Sequence, residues 1–348
     1  MNNFTIPAPV ELDMAKVPVL RWGIIGAAAI AETWLQGVRL HTRQQVLAVA
    51  SRTPGKAQTF AQEQRLAATD SGPGFYDSYE ELLAREDIDA VYIATLPTQH
   101  AEHALLAIAA GKHVLIEKPT TMNSADAARV FAASSAAGVF CMEAMWSRYL
   151  PQYQIAQEAL ASGVLGEITL VMASFCQDNR AVPRLWKPGH GDVLFDCGIY
   201  PISFAQMFLG NPTTVTAQGI VNADGIDEEV SIQLGYANGA RAHLVLSGTV
   251  AAPHHATVSG ETGVLDMHAP FFVPSGITIT GTEFNASGHA WIDRTGVVGH
   301  LGLAHQVNYF ASYVAAGLLE SPVHSHADTV AAIELCEEIC RQIGANPF

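Results

Sequence analysis

The sequence predicts an α/β protein in two parts. An N-terminal Rossmann domain, a doubly wound parallel sheet, is followed by a C-terminal α+β domain with a large, mostly antiparallel, open-faced sheet. Two observations carry this reading. From Val19 short β-rich runs alternate with helical ones, and after about Met145 longer strands take over, with period-2 alternation and Gly-containing connections. The length of 348 residues also asks for more than one core, because a single core rarely grows past ~250–300 residues. The predicted boundaries are an N-terminal extension over 1–18, a dinucleotide-binding domain over 19–144, and a substrate-binding and oligomerisation domain over 145–348.

In the first domain, 20–25 reads as a buried strand, 29–40 as a helix, 46–51 as a strand and 54–64 as a helix with Lys56, Phe60 and Ala61 at helical spacing. Ser78 opens a further helix, with Glu81 completing a capping-box pattern. Strand 90–95, helix 101–110 with Gly111 as its stop, strand 113–117, helix 124–137 and strand 139–143 complete the unit. In the second domain a helix over 151–162 precedes the strands ITLVMASF, TTVTAQGI, EVSIQLGY, ARAHLVLSGT and ATVSGETGVLDMH. A short helix at 198–208 interrupts them, and helices at 303–319 and 327–343 close the chain. An antiparallel sheet with an uncovered face tends to bury it against a copy of itself, which predicts a homodimer or homotetramer.

Composition excludes several classes. Hydrophobic residues make up 49% and charged ones 15%, which rules out disorder, collagen and coiled coil. Eighteen Lys and Arg against thirty-three Asp and Glu give −15, a field that repels nucleic acid and anionic membrane surfaces. No charged n-region precedes an apolar stretch at the start, and no apolar run approaches ~18 residues, so a soluble cytoplasmic protein is expected. The five cysteines do not suggest a disulfide framework. Cys336 and Cys340 share a helical face and read as buried apolar residues. Neither they nor His254-His255, His324/His326 and His100-Glu102-His103 match a zinc spacing, and no metal is expected.

In an open parallel sheet, ligands bind beyond the carboxyl ends of the strands, and the first strand-to-helix turn receives the pyrophosphate. That turn reads Gly26-Ala27-Ala28-Ala29-Ile30-Ala31. It keeps the first glycine of G-x-G-x-x-[GA] and places Ala28 at the second. The second strand ends Ser51-Arg52, with no carboxylate between Val46 and Lys56 to take the ribose hydroxyls of NAD. Ser51, Arg52 and Lys56 instead suit a 2′-phosphate, so NADP is favoured over NAD.

Three segments carry a family signal: Ala94-Thr95-Leu96-Pro97-Thr98-Gln99-His100, Gly111-Lys112-His113-Val114-Leu115-Ile116-Glu117-Lys118-Pro119, and Asp196-Cys197-Gly198-Ile199-Tyr200-Pro201. Together they resemble the Gfo/Idh/MocA oxidoreductases, from about Val19 to the C-terminus. Met145-Trp146-Ser147-Arg148-Tyr149-Leu150-Pro151, Glu320-Ser321-Pro322 and Arg341-Gln342-Ile343-Gly344 look most like the branch of dihydrodiol dehydrogenases and NADP-dependent D-xylose dehydrogenases. The resemblance implies that Lys118 bridges the nicotinamide ribose and the reacting oxygen. It implies that Tyr200 is the acid/base, that Asp196 accompanies it, and that Trp146 lines the substrate pocket. Thr95, Leu96, Pro97, His100 and Glu117 fall on the cofactor side, and Arg148 on the substrate side. One departure stands out: the run before Asp196 carries His190 and Asp192 where the family has glycines.

The implied activity is transfer of hydride between nicotinamide and a sugar, polyol or related small hydroxy or carbonyl compound. Removing the hydroxyl proton needs a base. Lowering a phenol from a pKa near ~10 to 7 takes roughly 4 kcal/mol, which a neighbouring ammonium and oxidised nicotinamide help supply. Lysine and tyrosine come from different domains, so the reading expects them to converge at the cleft between the two. Two alternatives stay open on sequence alone: a non-catalytic NADP(H)-binding sensor, and an enzyme that recycles bound NAD, like the family's glycoside hydrolases and sugar-sugar oxidoreductases.

Overall fold

The computed structural model describes residues 6, 8, 9 and 12–346; the rest of the extension expected over 1–18, and 347–348 of the second expected domain, lie outside the described residues. The backbone divides into two compact units, one of Leu12–Trp146 with Gly299–Val330 and one that includes Ser147–Val298 with 331–346.

The first unit begins with β1 (Arg21–Ile25), α1 (Ala29–His41), β2 (Gln45–Ala50), α2 (Lys56–Glu63), β3 (Phe75–Tyr76) and α3 (Tyr79–Leu83). It continues through β4 (Ala90–Ile93), α4 (His100–Ala109), β5 (His113–Ile116), α5 (Ser124–Ala137) and β6 (Cys141–Glu143). The sheet order is β3-β2-β1-β4-β5-β6 with every pair parallel. Its central strands are apolar because helices cover both faces: Trp22, Ile24 and Ile25 of β1 and all of β4 are buried. Local signals set the helix ends. Asn123 Oδ1 accepts the Asp126 N–H at 2.8 Å, and Gly138 closes α5 in the left-handed region at φ +69°. The strand order reverses between β1 and β4, which puts the ligand end of the sheet at the turns following those two strands.

The second unit holds α6 (Pro151–Ala161), β7 (Ile168–Cys176), a π-helical turn (Leu194–Gly198), α7 (Ile199–Leu209), β8 (Thr214–Val221), β9 (Asp227–Gly235) and β10 (Arg241–Ser247). The hairpin strands β11 (Ala256–Gly260), β12 (Val264–Met267), β13 (Gly276–Thr280) and β14 (Gly288–Ile292) follow. The sheet order is β14-β13-β12-β11-β7-β10-β9-β8. All its neighbours are antiparallel except β7 and β10, which run parallel, so β7 joins two antiparallel meanders. One face is core, with Val171, Ala173, Phe175, Val230, Ile232, Ala242 and Leu244 buried; the other exposes Met172, Val245 and Ile220 among Thr, Ser and Gln. The open face expected from period-2 alternation is therefore present within this unit.

The chain ends with α8 (Leu303–Ala315) and α9 (His326–Ile343). Helix α8 belongs to the first unit, whereas the sequence reading assigned it to the second domain. The physical reason is aromatic packing: Phe310 sits 4.7 Å from the Trp22 ring of β1 and 4.8 Å from Phe140, centroid to centroid. Among the described residues no helix is long and apolar enough to cross a membrane.

Candidate active site

In the first unit the turn after β1 is built for close approach. Gly26 stands at φ +103°, and a Cβ there would lie 2.8 Å from the Ala94 carbonyl oxygen and 2.8 Å from Thr95 Cγ2. The turn after β1 and the turn after β4 therefore touch. Ala28 is the N-cap of α1, in extended conformation and with no side chain capping the helix, so the N–H groups at Ala29 and Ile30 open a bare helix N-terminus. A cradle that only glycine fits, followed by an uncapped helix start, suits a pyrophosphate.

At the end of β2, Ser51 is buried and its Oγ accepts the Thr53 N–H at 3.3 Å. The Arg52 guanidinium donates to Glu102 Oε1 at 3.1 Å and to His103 Nε2 at 2.8 Å, and it lies 5.1 Å from the Tyr79 ring centroid. His103 in turn hydrogen-bonds Thr95 Oγ1 through Nδ1 at 2.9 Å. Burial, aided by the Arg52 charge, pushes the His103 pKa down to about 4. Lys56 is exposed at the start of α2. Sequence reasoning weighed Glu102 and His103 only as metal ligands and passed over Tyr79. The signal was present in the spacing, since Gln99, Glu102 and His103 sit three and four residues apart at the start of α4. Among the described residues no cluster of three or more metal-ligating side chains occurs.

Lys118 follows β5 and precedes Pro119 through a cis peptide bond. Its loop is held at three points. Glu117 Oε1 accepts the Tyr92 hydroxyl at 2.5 Å while Oε2 accepts the Lys118 N–H at 3.1 Å. His100 is fully enclosed, with Nδ1 2.9 Å from the Pro119 carbonyl and Nε2 3.1 Å from the Thr95 carbonyl; burial lowers its pKa while those carbonyls oppose the shift. Glu143, at the end of β6, accepts the Thr120 N–H at 2.9 Å and pairs with His324 Nε2 at 2.9 Å. Leu96 and Pro97 follow Thr95 and lead into α4. Trp146 is buried with its ring 5.5 Å from His300, whose pKa is lowered by burial and by the Lys118 charge. Glu143, Tyr92 and His300 escaped the sequence reading, and His324 entered it only against a zinc spacing, because each acts through a partner distant in the chain.

In the second unit, Asp196 lies on the π-helical turn and Tyr200 on α7. Asp196 Oδ2 accepts from Arg184 Nη2 at 2.9 Å. Gly198 allows the turn to press on β10, since a Cβ there would lie 2.5 Å from Leu246 Cδ1. The Tyr200 ring is buried in an aromatic stack, 5.8 Å from Phe175 and 5.1 Å from Phe272, and Phe175 stacks on His254 at 4.4 Å. Arg148 is buried and donates from Nε to Ser203 Oγ at 2.8 Å, three residues along α7 from Tyr200. Arg184 and the aromatic stack are further residues that sequence reasoning missed.

A doubly wound sheet with a glycine turn at its switch point defines a dinucleotide-binding α/β protein. Residues 20–145 match the oxidoreductase family with an NAD-binding Rossmann fold, and residues 153–266 match the GFO/IDH/MocA C-terminal domain. The chain belongs to the Gfo/Idh/MocA oxidoreductase family. It is 33% identical over 333 residues to trans-1,2-dihydrobenzene-1,2-diol dehydrogenase of Mus musculus, covering 94% of this chain and 98% of the mouse protein. It is 32% identical over 338 residues to the Sus scrofa enzyme of the same name, again covering 94% and 98%. Among solved structures, a 3-ketoreductase from Actinomadura kijaniata in complex with NADP and TDP-benzene superposes with a TM-score of 0.79 at 28% identity, covering 94% of this chain and 98% of that one.

Proposed function

We propose that this chain is an NADP-preferring dehydrogenase or reductase acting on a sugar, a cyclic polyol or a related small hydroxy or carbonyl compound. The observation that carries the reading is the Lys118 loop. In a chain of this family, an ammonium follows β5 beside the strand-order reversal, on a backbone pinned by Glu117, His100 and Glu143. When bound, the nicotinamide supplies the site that accepts or gives hydride. Gly26 and Ala28, whose own N–H groups donate to the Ala50 and Gly26 carbonyls, shape the turn; the N–H groups of Ala29 and Ile30 would hold the pyrophosphate, and Ser51, Arg52 and Lys56 would take the 2′-phosphate. Thr95, Leu96, Pro97 and His100 shape the wall after β4. In this reading Tyr200 takes the substrate hydroxyl proton or returns it, Lys118 serves the nicotinamide ribose and the reacting oxygen, and Asp196 orients a substrate hydroxyl. Trp146 and Arg148 line the substrate side. Relatives named for a cyclic diol and for a 3-keto group support a ring-borne secondary alcohol or its ketone as substrate.

The test is Tyr200→Phe, assayed with a panel of aldoses, cyclic polyols and vicinal diols. The expected loss in kcat is ~10²–10⁴-fold, with NADPH affinity by fluorescence unchanged. Substantial residual kcat would remove Tyr200 from the role. We further propose a homodimer or homotetramer formed through the open face of the second sheet, where Met172, Val245 and Ile220 are exposed. Val245→Asp should lower the mass seen in sedimentation, and an unchanged mass would move the interface elsewhere. The cytoplasm, where thiols stay reduced, suits five buried cysteines that form no disulfide.

A further inference from the structure

We propose that Asp192 and Asp227 share one proton in a buried carboxyl pair that positions the turn bearing Asp196 and, through it, the start of α7 bearing Tyr200. The inference rests on the catalytic reading of those two residues, but the pair itself does not. Both aspartates are fully buried. Asp192 Oδ1 accepts the Phe195 N–H at 2.7 Å, and Asp227 Oδ2, at the start of β9, accepts the Leu194 N–H at 2.9 Å. The first turn of the helical stretch is thus capped by two carboxyl groups, its own and one from the sheet. The remaining oxygens, Asp192 Oδ2 and Asp227 Oδ1, are buried and no other group satisfies them, and the two carboxyl groups are close enough to act on each other's protonation, which a proton shared between those oxygens accounts for.

Two carboxylate oxygens cannot hydrogen-bond without a proton between them. Burial raises both carboxyls, Asp227 to about 6 against the opposing Leu194 N–H, and Asp192 well above its ordinary value with the help of the Asp227 charge, so the proton resides on Asp192. Asp192 therefore donates through Oδ2 to Asp227 Oδ1. The other titratable groups bearing on the pair are Asp196 from the same stretch and Cys340 from α9, whose thiol burial keeps neutral beside Glu337. None of these is a cation, so the proton is what neutralises the site. This gives a role to one of the two residues, Asp192, that depart from the family's glycines before Asp196. Losing the proton would set two buried charges against each other and release the Leu194 and Phe195 caps, displacing Asp196 and Tyr200.

Infrared spectroscopy of the full chain with ¹³C-carboxyl aspartate, without substrate, reads the proton directly. At neutral pH a label-sensitive protonated-carboxyl band is expected, absent in both Asp192→Asn and Asp227→Asn. No such band in the unmutated protein would overturn the pair, whatever Tyr200 does. Positioning is read from kinetics. Asp192→Asn keeps a donor toward Asp227 and an acceptor for Phe195, so it should hold kcat within about twofold of the unmutated enzyme. It should also lose the alkaline fall that accompanies disappearance of the band. Asp192→Ala should lower kcat while leaving the KM for NADP unchanged. Superimposable pH profiles for Asp192→Asn and the unmutated enzyme would overturn the positioning role. If Asp192→Asn does not fold, Asp227→Asn keeps the same pair with donor and acceptor exchanged and decides both points.

Discussion

Arg52 and His103 are bonded side chain to side chain: the guanidinium donates from Nη2 to His103 Nε2 at 2.8 Å, and the ring's Nδ1 lies 2.9 Å from Thr95 Oγ1. The chain of contacts runs from the end of β2, where a 2′-phosphate would sit, to the turn after β4. It requires a neutral imidazole with its proton on Nδ1, and burial with the adjacent guanidinium enforces that state. In an unfolded chain the imidazole titrates near ~6.5, so the unfolded state binds this proton first as pH falls. The His103 contribution to stability is therefore full above pH ~6.5 and is lost as pH falls toward about 4. Thermal melts should show a steeper loss between those limits in the unmutated protein than in His103→Gln. Parallel melting curves would show that His103 titrates normally.

The same guanidinium is shared with Glu102, whose carboxylate accepts from Nη1 at 3.1 Å. Both side chains are substantially exposed, so the pair contributes little to stability, ~0–1 kcal/mol. Its effect is on binding, because the carboxylate occupies the donor that a 2′-phosphate needs. Glu102→Gln should tighten binding of 2′,5′-ADP by roughly two- to fivefold and leave 5′-AMP unchanged. Arg52→Ala should weaken 2′,5′-ADP by about 1.5–3 kcal/mol, roughly tenfold to a hundredfold, with little change for 5′-AMP. Titration calorimetry with the two fragments separates phosphate recognition from catalysis. Equal effects on both fragments would place the 2′-phosphate elsewhere.

Gly26 gives a sharper steric test. A methyl group there would meet backbone at 2.8 Å, the Ala94 carbonyl, at a backbone angle L residues rarely adopt. Gly26→Ala should cost ~1–3 kcal/mol in urea unfolding and abolish measurable NADPH binding, because the turn after β4 must shift to make room. Gly55→Ala provides the comparison. It also has positive φ, at +75°, but a Cβ there meets nothing within 4 Å, so cofactor binding should survive. Retained NADPH affinity in Gly26→Ala would show that the phosphates do not rest on this turn.

The parallel half of the fold was legible because its helices and strands differ in period and are punctuated by Ser78 and Gly111. The open-faced sheet was legible for the same reason. What escaped depends on long-range pairing. Nothing local states that β7 runs parallel to β10, or that Phe310 of α8 belongs beside Trp22. Strands β13 and β14 went unread because each is only five residues long: GITIT alternates too briefly to stand out, and GHAWI is exposed along almost its whole length, with no buried face to mark it. At the site, the family resemblance singled out Lys118, Asp196 and Tyr200 as candidates, and the turn motif singled out Gly26. It could not assign the partners that hold them, since Glu143, His324, His103 and Asp227 reach these segments only through the tertiary fold.

Glu143 and His324 give the last prediction. The carboxylate is enclosed, with Oε2 on His324 Nε2 at 2.9 Å and Oε1 on the Thr120 N–H at 2.9 Å, two residues past Lys118. Removing one partner of a buried pair leaves a desolvated polar group, and the cost is ~3–5 kcal/mol. His324→Ala should lower the free energy of urea unfolding by about that amount. Glu320→Gln, at the exposed partner of His326, should change it by less than about 0.5 kcal/mol. Because Glu143 also anchors the Thr120 amide, the loss in His324→Ala should extend to the Lys118 loop, seen as faster amide exchange at Thr120 and Thr121 than in Glu320→Gln. Equal exchange in the two variants would show that the Lys118 loop is held by Glu117 and His100 alone.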